Sequence, residues 1–337
     1  MRALYRSLLL TTAVALALPV CGFAAEEVVV YSSRTEDLIK PLFDKYTAET
    51  GVTVRYVTDG GGPLLARLKA EGANTPADML ITVDAGNLWQ AAQDGVLAPV
   101  TSPVLTKNVP AHLHDPEGRW YGVTLRARTI AYSTKRVDPA TLSTYEDLAD
   151  PKWKGRLCLR TSKSVYSQSL IGMTIARLGE EKTESMVKGW VANLAVPPFA
   201  NDTRVLEAID AGQCDVGIVN TYYFGGLIRE KPALAVALFW PNQAEESGGV
   251  HVNVAGAGVT RYAKHAAQAQ KLLEWLTEPE AQEMFAGINL EYPVNPAVKI
   301  DPLVAVWGSF RQDPHNVSDA GALQAQAVKL MDRADYR

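Results

Sequence analysis

Cys214-Asp215-Val216-Gly217-Ile218-Val219-Asn220-Thr221-Tyr222-Tyr223 is an apolar run that stops at polar residues and then at two adjacent tyrosines. Such a run reads as a buried strand of a parallel sheet, and open α/β sheets take their ligands at the carboxyl ends of these strands. Inside a strand, neighbouring side chains point to opposite faces. Just past its end that alternation lapses, so both phenols can turn toward one point. A third tyrosine, Tyr166, lies upstream in Ser164-Val165-Tyr166-Ser167. Phenolate is a hard anionic oxygen donor, and tyrosine is an established ligand of ferric iron. Taken alone, the pair is more simply read as half-buried aromatics at a strand end. The rest of the chain turns the balance toward a site.

Working outward, strand and helix patterns alternate. Val28-Val29-Val30-Tyr31 is a first strand, and Leu38, Ile39, Leu42, Phe43 and Tyr46 recur at helical spacing up to Gly51. Strands over 52–57 and 77–82 are separated by a helix over 64–71, and a short helix over 88–94 stops at Gly95. Strand, helix, strand, helix implies parallel pairing with right-handed crossovers. Gly60-Gly61-Gly62-Pro63 has no lysine and serine of a phosphate-binding loop and reads as a flexible turn. The second half repeats the pattern, with helices over 167–178, 180–194 and 205–211 before the Cys214 strand. Residues 121–132 form one long strand that suits a hinge crossing, and 250–256 return as a second. Helices over 266–276 and 279–286 rejoin the first lobe, and 320–332 form a last helix.

The first residues set the compartment. Arg2 and Arg6 precede an apolar stretch over 8–20, and Gly22-Phe23-Ala24 offers small residues for cleavage, the pattern of a secretory leader over 1–24. Cys21 lacks the small residue wanted before a lipid-bearing cysteine. No later stretch has the length of a membrane span, so the mature chain is expected to be soluble. Loss of the leader takes the formal charge from −4 to about −6, which argues against nucleic acid as a partner. A mature chain of roughly 310 residues exceeds one comfortable core and suggests two lobes. Cys158 and Cys214 remain, each in a strand-like segment. In an oxidising compartment they read as one disulfide, with two free buried cysteines as the alternative.

Val30-Tyr31-Ser32-Ser33-Arg34, Pro76-Ala77-Asp78, the Arg126-Ala127-Arg128 strand, Asn220-Thr221-Tyr222-Tyr223 and His251-Val252-Asn253 follow the leader in this order. The whole mature chain resembles the periplasmic ferric-ion-binding proteins, the solute-binding components of iron ABC transporters. The resemblance implies an α/β, two-lobe periplasmic solute-binding protein with hinge strands and an interlobe cleft. The expected division is 25–124 plus 258–300 for the N-terminal lobe and 125–257 plus 301–337 for the C-terminal lobe. It implies Fe³⁺ as the bound ion, with Tyr166, Tyr222 and Tyr223 on ligating positions. Arg126 falls near the position of a synergistic anion, carbonate or bicarbonate. It further implies a membrane permease as partner, a monomer in the periplasm, and no enzymatic activity. Some relatives carry a histidine and a tyrosine after Ser-Ser-Arg, where this chain has Thr35 and Glu36. An anion or water then completes the shell, unless Glu36 reaches in.

The chemistry is coherent. Free tyrosine titrates near 10, roughly, so at neutral pH only a strongly polarising cation holds three phenolates. Three phenolates neutralise Fe³⁺, and an added anion leaves negative charge for an arginine fork to offset. Arg126 and Arg128, two apart on a strand, are expected on one face, against the simpler reading of a charged edge strand. Arg34 precedes a helix N-terminus and fits an anion role as well as a surface salt bridge. His112 and His114 lack the cysteine or carboxylate pattern of a zinc site, and His251 suits support of the hinge. Neither a Gly-x-Ser-x-Gly elbow nor a convincing triad is found. The competing readings are a receptor of the same fold for a phosphonate, a polyamine or thiamine, and, more distantly, an extracytoplasmic hydrolase.

Overall fold

The computed structural model describes residues 26–337, so the expected leader over 1–24 lies outside the described residues. In the first half, β1 (Glu27–Ser32) leads into α1 (Glu36–Thr50), then β2 (Thr53–Thr58), α2 (Gly61–Glu71), β3 (Met79–Thr82), α3 (Ala85–Gln93) and α4 (Pro103–Asn108). α1 buries Ile39, Leu42, Phe43 and Tyr46, the stripe its spacing implies, and Gly51 closes it in a left-handed turn at φ 74°. The glycine stretch is not a flexible turn. Gly61 and Gly62 open α2, with Pro63 in its first turn, where the missing N–H of proline costs nothing.

The hinge is β4 (Tyr121–Ser133). Residues 121–127 of β4 pair with β8 (Val252–Val259), whereas residues 128–132 pair with β6 (Val216–Asn220). One thirteen-residue strand thus threads two parts of a single eight-stranded mixed sheet. β1 lies parallel between β2 and β3, and β3 runs antiparallel to β8. Beyond the hinge come β5 (Leu157–Cys158), α5 (Val165–Leu178), α6 (Glu180–Asn193) and α7 (Asp202–Asp210), and β5 lies parallel to β6. Then follow α8 (Thr221–Glu230), β7 (Val236–Phe239), α9 (Ala266–Leu276), α10 (Pro279–Asn289), α11 (Pro302–Ala305), α12 (Asp319–Ala322) and α13 (Gln324–Arg333). The last helix expected as one piece is therefore two, broken at Leu323.

Apolar burial divides at the hinge. One cluster joins β1 to β3, α1, α3 and the 121–125 end of β4 with β8, α9 and α10, and it also takes in Val304 and Val317. A second gathers Ile130, Trp153, α5, α6 and Leu330, and a third lies between α7, β6 and α8. Cys158 and Cys214 form a disulfide inside the third, tying β5 to the residues that lead into β6. Among the described residues no helix is long and apolar enough to cross a membrane.

Candidate metal centre

The three tyrosines meet through the starts of two helices. Tyr222 and Tyr223 lie not in a loop past β6 but in the first turn of α8, which begins at the very next residue after the strand. Tyr166 lies in the first turn of α5, where Ser164 caps the helix by accepting from the Tyr166 N–H at 3.3 Å. A helix N-terminus presents unpaired N–H groups and the positive end of the macrodipole, so both turns favour anionic phenolates. Asn220 has the N-cap position of α8 but spends its side chain elsewhere. Its Oδ1 accepts from Arg128 and its Nδ2 donates to the Tyr222 hydroxyl at 3.3 Å. The Tyr222 and Tyr223 rings pack 4.5 Å apart, tilted by 35°. Gly225, one turn on, lets Leu290 and Trp307 press against α8, since a β-carbon there would stand 2.6 Å from Leu290 and 2.8 Å from Trp307.

All three tyrosines line one cavity of about 400 Å³ with Ser33, Arg34, Thr35, Leu38, Arg126, Arg229 and Glu291. Burial first, then the Tyr166 and Tyr223 phenols, pushes the Tyr222 hydroxyl well above its ordinary value, against the pull of Arg126. Burial likewise raises Tyr166, again opposed by Arg126. The empty site therefore holds these two phenols protonated at neutral pH.

Arg126 is buried on β4. Its Nη2 donates to the Val83 carbonyl at 2.6 Å, while its Nε and Nη1 have no hydrogen-bond partner. Arg34 is also buried on the cavity wall. Its Nη2 donates to Thr124 at 2.5 Å and to Glu291 at 2.7 Å, and Glu291 lies 3.7 Å from Arg126. Burial raises the Glu291 carboxyl, but Arg34 and then Arg126 outweigh it and hold it below the usual range. Arg34 is thus neither a surface salt bridge nor a free anion clamp. Two guanidiniums share one carboxylate, which leaves one cation in surplus.

Two expected members stand apart. Arg128 does not line the cavity: its Nη1 pairs with buried Asp202 at 2.9 Å and with Asn220 at 3.2 Å. β4 exchanges β8 for β6 between Ala127 and Arg128, and Arg128 is taken up there by Asp202 and Asn220. Glu36 is exposed, accepts from the Tyr56 hydroxyl at 2.9 Å, and is absent from the cavity wall. His251 is buried beside the point where β4 changes partners. Its carbonyl accepts from the Arg128 N–H at 3.0 Å, and burial, then Arg128 and Arg126, push its imidazole down to about 3.

Three residues escaped sequence reasoning. Glu291 stands between Leu290 and Tyr292, and a charge inside an apolar stretch was the only signal. Arg160 follows the buried Leu157-Cys158-Leu159 and carries its guanidinium 5.0 Å from the Tyr166 ring and 5.9 Å from that of Tyr223. Asp84 caps α3 through the Gly86 N–H at 2.7 Å and also accepts from Ser169 of α5 and Asn253 of β8 at 2.9 and 2.8 Å. That carboxylate ties α3 to α5 and β8.

A family model described as bacterial extracellular solute-binding protein matches residues 41–315. The chain is 43% identical over 318 residues to iron uptake protein A1 of Synechocystis, covering 93% of this chain and 88% of that one. A Trichodesmium protein solved in complex with iron and citrate ligands is 44% identical and superposes with a TM-score of 0.88, covering 92% of this chain and all of that one. The ferric iron-binding protein A of Mannheimia haemolytica in an open conformation is 34% identical, with a TM-score of 0.86 over 93% of this chain and 99% of that one.

Proposed function

The chain belongs to the bacterial extracellular solute-binding protein family, and on that footing we propose that it is the periplasmic receptor of an iron uptake system, taking ferric iron as cargo on Tyr166, Tyr222 and Tyr223. The observation that carries the reading is the convergence of three phenols, from the first turns of α5 and α8, on one cavity beside the unpartnered face of Arg126. Among the described residues no group of three histidine, cysteine, aspartate or glutamate side chains is placed to hold a metal, and the Glu291 carboxylate on the wall is engaged by Arg34 and Arg126, which leaves the phenols as donors. Oxygen donors of this hardness, protonated in the empty site, suit a trivalent ion that can displace their protons.

Three phenolates fall short of six-fold coordination, and Thr35 and Leu38 on the wall supply no further anionic donor. The remaining positions go to a synergistic anion, carbonate or bicarbonate, held by the Nε and Nη1 of Arg126. The filled receptor then delivers its ion to a membrane permease. The family is one of receptors, and no enzymatic step is assigned.

A second reading rests on the cavity's size. About 400 Å³, walled in part by Leu38, Ile288 and Leu290, has room for an organic anion beside or instead of the ion. Colour separates the two. Stripped protein given ferric nitrilotriacetate should turn orange or red through phenolate-to-iron charge transfer, and the Tyr222→Phe, Tyr223→Phe double variant should not. One ferric ion taken up by that double variant with an unchanged spectrum refutes the phenolate site.

A further inference from the structure

Beneath the tyrosines lies a second set of buried charges. Asp202, fully buried at the start of α7, accepts from Arg128 at 2.9 Å and faces Arg160 at 3.6 Å. As on the Arg34 side, two guanidiniums share one carboxylate. Arg128 is hydrogen-bonded through Nη1, whereas the Nε and Nη1 of Arg160 have no hydrogen-bond partner. Besides Asp202, Arg160 meets two of the phenols, with the Tyr223 hydroxyl beside its guanidinium. It stands within cation–π range of both Tyr166 and Tyr223, two of the three rings assigned to the metal. Its backbone is fixed by its neighbours: β5 and the Cys158 disulfide precede it, it bridges to Phe199, and its carbonyl accepts from the Tyr336 hydroxyl. A long cation tethered this firmly under two rings is oriented by design of the fold, not by chance of a surface rotamer.

We propose that Arg160 is a positioning residue for the metal centre, acting through the Tyr166 and Tyr223 rings to orient them and to weaken their donation to a bound ferric ion. The inference rests on the phenolate reading of the site. A cation over an aromatic face lowers the energy of the ring electrons. In a phenolate those are the electrons given to the metal, so the charge-transfer band moves to higher energy.

The test is the wavelength of the band, not its height. In iron-loaded Arg160→Met the band should move to longer wavelength by on the order of 10 nm as the cation–π contact is lost. A purely structural role would lower iron occupancy and band height without moving the maximum. Asp202 loses the more distant of its two guanidiniums in that variant and keeps Arg128 at 2.9 Å, so the Arg160→Met, Asp202→Asn double variant separates the lost ion pair from the lost ring contact, and it should show the same shift. Arg160→Lys keeps the charge and should return the band at least part of the way to its original position. A maximum unmoved in both methionine variants, or moved as far in Arg160→Lys as in Arg160→Met, overturns the proposal. If the unmodified protein itself shows no visible band with ferric nitrilotriacetate, the metal reading fails and this inference falls with it.

Discussion

Loading iron should expel protons, and the structure sets a lower bound on how many. Burial raises Tyr222 well above its ordinary value, and Tyr166 rises for the same reason. Below pH 8 both phenols are therefore protonated in the empty site, and each must lose its proton to donate to the metal. By linkage, two protons released make the apparent affinity fall about 100-fold for each unit of acidification. The sign is fixed: acid favours release and alkali favours uptake. The assay is proton counting with an indicator dye in weakly buffered solution at pH 7, with ferric nitrilotriacetate as donor and its own proton balance subtracted. The expected yield is at least two protons per iron bound, and Tyr222→Phe should release one fewer at whatever occupancy it reaches. A yield below two, or a yield unchanged in Tyr222→Phe, would refute the assignment of these phenols as ligands.

Acid should also loosen the fold through His251. Its folded value is near 3 against about 6.5 in the unfolded chain, so the unfolded state holds more protons between those values. The stability this represents is whole above pH 6.5 and declines as pH falls, by about 2 kcal/mol at pH 5. Denaturant midpoints at pH 7.5 and pH 5 should converge in His251→Gln. Arg128→Met takes the nearer of two guanidiniums from the buried Asp202 carboxylate and should cost about 1–3 kcal/mol, read as a lowered urea midpoint with unchanged slope. Unfolded, unreduced protein should show no labelled thiol among Cys158 and Cys214, and reduction should lower stability by about 2–4 kcal/mol, whereas two labelled thiols would contradict the bond. Arg126→Ala should weaken iron binding in bicarbonate buffer and little in its absence, and equal loss in both would count against the anion site.

Local patterns were enough to mark much of this molecule. The stripe of Ile39, Leu42, Phe43 and Tyr46 announces α1 because 3.6-residue spacing alone decides which side chains share a helix face. The thirteen-residue apolar β4 and its return partner β8 were visible as long strands, and the cysteine pair was legible from compartment and count. Tyr222 and Tyr223 stand out in the sequence as an adjacent pair at a strand end, whereas the meeting of Tyr166 with them in one cavity is a matter of the fold. What the sequence could not carry was direction across long separations. That Arg126 lines the cavity while Arg128 is held by Asp202 depends on the partners the fold brings to each, and not on spacing. Glu36 was within reach of the site by number but bonds Tyr56 instead, because α1 turns its first residue to solvent. Glu291 joins Arg34 across 257 residues and Arg160 slides under rings from two separate helices. A buried charge acquires its meaning only from the opposite charges packed beside it, and in this chain those partners are brought together by the tertiary fold alone.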